Sequence, residues 1–158
     1  MKSLPPFPLK LVSFNSMKLF FTIALATFSF LTTFSQEYKI TAPPGELGLH
    51  SFYKKYVDAE GIPVVSSWRV PDEALIKVAQ MTSFFLENLP EEVAENLRKY
   101  KARVGILARY EGTTDMPEYA HMVNDTSVNW DVRARGLGGT LELPMTSCAE
   151  ENILCYQI

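Results

Sequence analysis

The chain has 158 residues, a formal net charge of −3 and an isoelectric point near 5.4. Acidic and basic side chains are interspersed and form no block, which excludes a nucleic-acid footprint and gives no sign of binding to a membrane surface. The two cysteines and two histidines make a poor ligand set for zinc.

Met17 and Lys18 precede "LFFTIALATFSFLTTFS", and the polar "QEYK" follows. A basic start, an apolar core and small residues at Thr33 and Ser35 are the order of a secretory signal cut before Gln36. The alternative is an N-terminal membrane anchor, but the run is short for a bilayer span and its second half is rich in Thr and Ser. Residues 1–16 therefore read as an unstructured extension, with Met17 a candidate start of translation, 17–35 as a signal peptide and 36–49 as a linker. The mature protein is expected to be secreted and extracellular, with no stable membrane insertion after cleavage. About 120 residues remain, enough for one small domain.

In that domain "LHSFYKKYVDAEG" reads as a short helix closed by Gly61, with Phe52, Tyr53, Tyr56 and Val57 sharing a face. "IPVVSS" is a short strand rich in β-branched residues. The clearest element is "VPDEALIKVAQMTSFFLENLP". Pro71 suits the first turn, Asp72 and Glu73 complement the helix dipole, and Leu75, Ala79, Thr82, Leu86 and Leu89 form a stripe that Ile76 and Phe85 widen. Pro90 ends it and opens "PEEVAENLRKYKA", with acidic residues in its first turn and basic ones in its last. "RVGILARY" follows as an interior strand. Two helices leading into a buried strand give a mixed α/β arrangement of the α+β class.

From Glu111 to Gly139 the regular patterns fade into a loop longer than compact domains usually carry. It concentrates Asp115, Glu118, His121, Asp131, Arg133 and Arg135. His121 reads as a surface residue before a metal ligand, and Asp115 as a turn former. Arg133 and Arg135 would share one side of an extended segment, binding a carboxylate or pairing with Asp131 or a glutamate. Gly136, Gly138 and Gly139 resemble a phosphate loop, but no Lys-Ser/Thr follows, and nucleotide binding is rejected. "GTLELP" reads as an edge strand ended by Pro144. Adjacent Glu150 and Glu151 diverge on any regular element and are poor partners for one substrate.

Secretion makes a disulfide the leading expectation for Cys148 and Cys155, ahead of free thiols or zinc. Closing so short a loop would stabilise the fold by about 2 to 3 kcal/mol. Asn124 heads an "NDT" sequon, a possible glycosylation site.

Taken together, "FYKKYVDAEGIPVVSSWRVPDEAL", "TTDMPE", "WDVRARGLGGT" and "CAEENILCY" resemble the N-terminal part of a family of secreted zinc metallopeptidases of the zincin type. The resemblance covers roughly residues 50–156. It implies a helix-backed twisted sheet, with 72–89 the backing helix, 103–109 an inner strand and 137–143 an edge strand beside the substrate. It places Arg133, Arg135, Gly136, Gly138 and Gly139 near a substrate cleft. In the family a His-Glu-Phe-Ala-His type helix follows the last landmark, its histidines binding zinc and its glutamate activating water. No His-Glu-x-x-His occurs in these 158 residues. Residues 50–158 thus read as an incomplete metallopeptidase-like domain with no catalytic or metal residues of its own, zinc and a peptide or protein substrate being expected of full-length members. A shortened gene model, a splice product and a secreted remnant all fit. The alternatives are a non-catalytic domain that binds peptides or proteins by strand addition, and a non-functional fragment.

Overall fold

The computed structural model describes residues 37–156; the extension and signal peptide expected over 1–35 lie outside them. Chain order is β1 (Lys55–Ala59), β2 (Ile62–Ser66), α1 (Asp72–Glu87), α2 (Glu91–Lys99), β3 (Arg103–Leu107), α3 (Trp130–Arg133), β4 (Met145–Ala149) and α4 (Glu150–Leu154). One four-stranded sheet runs β1-β2-β3-β4. β1 and β2 are antiparallel, whereas β2 with β3 and β3 with β4 are parallel. Helices with a small mixed sheet make this an α+β fold, as the sequence predicts.

The helix predicted over 49–61 is instead the first half of a hairpin. Val57 and Ala59 are buried while Asp58 between them is exposed, a period of two rather than 3.6. Glu60 and Gly61, at φ 52° and 85°, form the left-handed two-residue turn that matches strand twist, and Ala59 pairs with Ile62 across it. The expected linker is also part of the fold. Thr41 exchanges two backbone hydrogen bonds with Tyr56, at 2.9 and 2.8 Å, while Tyr38 and Ile40 pack on the core.

β2 is buried along its whole length, as suits a strand with neighbours on both sides. Its Val64, with Val57 and Ile106, faces α1, which buries Ala74, Leu75, Val78, Ala79 and Leu86. Burial of side chains such as Leu75 or Val78 contributes about 1.5 to 3 kcal/mol each. The buried stripe is rotated from the predicted one, so that Val78 turns inward while Phe85 and Leu89 are exposed. Asn88 ends α1, its amide donating to Phe84 O at 2.7 Å, and Pro90 starts α2. On the other face Val65, Leu107, Met145 and Ala149 pack with Met116 and Tyr119 of the long β3–β4 connection. Gly105 makes this packing possible: a Cβ there would stand 2.3 Å from Met116 Cε.

The edge strand expected over 137–143 does not form. The strand follows Pro144 instead of preceding it, and pairs with β3 from Met145 to Ala149. Its Thr, Ser and Cys residues carry little hydrophobic signal.

Candidate functional site

The carboxyl ends of β2, β3 and β4 lie side by side, the end of a parallel sheet from which loops bring side chains together. β3 leads to Glu111, which is 2% exposed. Its Oε2 accepts from Ala108 N at 2.8 Å and its Oε1 from Arg69 Nη1, beyond β2, at 3.2 Å. β4 leads directly into α4, so that Glu150 and Glu151 are the first helical residues, and both are buried.

Arg135 reaches this cluster from the long loop. Its Nε and Nη2 bond both oxygens of Glu151, Nη1 donates to Glu111 O at 2.5 Å, and Nη2 to Ala108 O at 3.0 Å. The planar guanidinium therefore ties the loop, the end of β3 and the start of α4 together. Burial pushes the Glu151 carboxyl up, but the bond to Arg135 and the adjoining positive charge outweigh it and hold the group below the usual carboxylate range. Glu150 diverges from Glu151, as neighbours on a helix must. Its Oε1 accepts from the Tyr156 hydroxyl, and its buried Oε2 has no partner among the described residues. The Arg109 guanidinium lies 5.9 Å over the Tyr156 ring.

A chain of side-chain bonds extends the cluster back along the sequence. Asp131 accepts from Thr114 N at 2.7 Å and from its hydroxyl at 2.9 Å. Gly112 leaves room for this, since a Cβ there would lie 2.4 Å from the Asp131 carboxyl carbon. Glu118 accepts from the Tyr53 hydroxyl at the start of the sheet. "FYKK", "TTDMPE", "WDVRARG" and "CAEE" are thus joined in succession, by Tyr53–Glu118, Thr114–Asp131 and Arg135–Glu151.

Other predicted site residues have different places. Arg133 is exposed on α3 and does not share a side with Arg135. The glycine loop lies against β4: Ser147 N donates to Leu137 O at 2.8 Å, and a Cβ on Gly136 would stand 3.0 Å from Ser147 O. Gly139 N donates to Thr146 Oγ1 at 3.2 Å, while Gly138 has open space around it. This loop braces an edge where a cleft was expected, and it occupies part of the backbone that strand addition would use. Cys148 and Cys155 are free thiols, a departure from the expected disulfide. The physical reason is α4, which starts two residues beyond Cys148 and leaves Cys155 exposed at its far end. Burial, with the Glu151 charge adding, pushes the Cys148 thiol up to about 12. Asn124 is exposed at the end of a short 3-10 turn. His121 is exposed, and His50 Nδ1 accepts from Phe52 N at 3.1 Å.

The sequence reading missed Arg69 and Glu111. The available signal was position, each lying just beyond the carboxyl end of a recognised strand. Among the described residues no three His, Cys, Asp or Glu side chains are grouped to hold a metal ion, and no helix is long and apolar enough to cross a membrane. Comparison with protein-family models, curated proteins and solved structures gives no match.

Proposed function

We propose that residues 37–156 are the sheet lobe of a secreted, zincin-like zinc metallopeptidase whose catalytic helix is encoded beyond residue 158. The observation that supports this reading is the succession of side-chain bonds linking the four landmarks. They are the stretches on which the resemblance rests, and Tyr53–Glu118, Thr114–Asp131 and Arg135–Glu151 join each to the next. Those bonds make the four landmarks parts of one structure.

The described residues do not themselves fit zinc, which takes three or four nitrogen, oxygen or sulfur ligands. Both oxygens of Glu111 and of Glu151 are engaged, one oxygen of Glu150 is held by Tyr156, and the two histidines stand apart from them. The role of this lobe is therefore positional. The Arg135–Glu151 pair fixes where the chain leaves the sheet through α4, and with it the direction of whatever follows.

The test on these 158 residues is zinc content by mass spectrometry after dialysis, with hydrolysis of a peptide mixture followed with and without a chelator. The reading expects no stoichiometric zinc and no chelator-sensitive hydrolysis. One zinc per chain with hydrolysis would overturn the placement of the catalytic ligands in a later helix.

A further inference from the structure

We propose that the groove between α2 and residues 139–146 binds a small uncharged molecule with an apolar body and a carbonyl acceptor. The groove adjoins the amino-terminal ends of β3 and β4, at the opposite end of the parallel strands from the Arg135–Glu151 cluster, and its role does not depend on the peptidase reading.

The sequence of α2 carries two apolar faces, and the sheet side of the fold uses one. Ala94 alone is buried, packed with Leu86 and Ile62. Val93, Leu97 and Tyr100 recur at helical spacing on a different face, and remain 42%, 37% and 50% exposed. Leu141 and Pro144 form the opposite wall, and the groove encloses about 560 Å³. That volume lies in the usual range for small-molecule sites, about 300 to 1,000 Å³.

Three polar groups of the lining set the chemistry of the occupant. Thr140 Oγ1 accepts from Leu143 N at 3.1 Å and Thr146 Oγ1 from Gly139 N at 3.2 Å, but neither hydroxyl donates to another described residue. The side-chain carboxamide of Asn96 has no hydrogen-bond partner among the described residues. The groove therefore offers two hydroxyl protons and an amide N–H₂ as donors. An occupant that displaces water from them must bring acceptors or leave these groups unpaired. A plain hydrocarbon brings none. No charged residue lines the groove, so an ionic head would lose hydration there without a counter-charge in contact. An uncharged carbonyl oxygen supplies two lone pairs at a lower cost of dehydration and meets both conditions.

The experiment is a nuclear magnetic resonance titration of the nitrogen-15-labelled full chain with benzophenone, an apolar frame carrying one carbonyl. The comparators are diphenylmethane, which keeps the frame and lacks the acceptor, 4-benzoylbenzoate, which adds a charge, and an acetylated dileucine amide. Saturable one-to-one binding of benzophenone is expected, with shifts centred on Val93, Leu97, Tyr100 and residues 139–146, at least fivefold tighter than any comparator. Asn96→Ala should weaken benzophenone at least threefold and leave diphenylmethane unchanged, whereas Leu97→Asp should weaken both at least tenfold. Both side chains are exposed on α2, so the fold is expected to survive, which circular dichroism verifies. Absence of saturable binding by the folded chain, equal or tighter binding of a comparator, or insensitivity to these variants would each overturn the proposal. So would shifts of the same residues with protein concentration alone, which a second copy seated in the groove would produce.

Discussion

Replacing Arg135 by methionine tests the central joint of the structure. The side chains of Arg135 and Glu151 are 19% and 8% exposed, so the variant leaves a carboxylate nearly buried and unpaired, and deprives Glu111 O and Ala108 O of a donor. Breaking a buried pair by removing one partner costs about 3 to 5 kcal/mol; water reaching part of Arg135 places the expected loss near the lower bound, about 3 kcal/mol. With a urea dependence of about 1.5 kcal/mol per molar, the midpoint falls by about 2 M. Adding Glu151→Leu to the same chain removes the stranded charge and should restore more than half of the loss. Urea titration by circular dichroism and tryptophan fluorescence measures all three proteins. A loss below about 1 kcal/mol for Arg135→Met, or a double variant no more stable than the single, would refute the reasoning.

Other expectations follow from the same geometry. Because Glu151 is held below its ordinary value of 4.5, the unfolded chain takes up its proton first as pH falls. The pair's stability is thus full above pH 4.5 and is lost below it, and the Arg135→Met/Glu151→Leu protein should lose less stability than the natural chain in that acid window. Gly105→Ala drives a methyl into Met116 and Met145 and should cost about 1 to 3 kcal/mol by thermal melting. Gly136→Ala, meeting Ser147 O, should destabilise more than Gly138→Ala, which meets nothing within 4 Å. At pH 8 an aromatic disulfide reagent should modify exposed Cys155 at least tenfold faster than Cys148, both titrating in urea; a chain with no titratable thiol would restore the disulfide. When the chain is expressed through a eukaryotic secretory pathway, glycosidase treatment should shift its mobility, and Asn124→Gln should abolish that shift.

The sequence made legible whatever one period governs. α1 carries a helical stripe, α1 and α2 both have proline boundaries and acidic first turns, and β2 and β3 are continuous apolar runs. β1 was hidden because Phe52, Tyr53, Tyr56 and Val57 also fit a helical face, and only the turn at Glu60–Gly61 reveals the alternation. β4 was hidden because a strand covered by α4 and the long loop can be built from Met, Thr, Ser and Cys without an apolar run. The site was legible in part. Arg135 was marked as a carboxylate binder, but its partner Glu151 lies sixteen residues away, and no local pattern shows that the glycine loop folds against β4. Glu111 and Arg69 gain their significance from parallel strands ending side by side, which single-sequence periodicity does not encode.

The measurement that tests the central claim most directly is the sequence of the natural transcript through the codon for Ile158 and onward. The account predicts an in-frame His-Glu-x-x-His segment after a short spacer, and a protein from that transcript that binds one zinc. A transcript that stops at that codon, or continues without such a segment, would contradict the assignment of this lobe to a zinc peptidase.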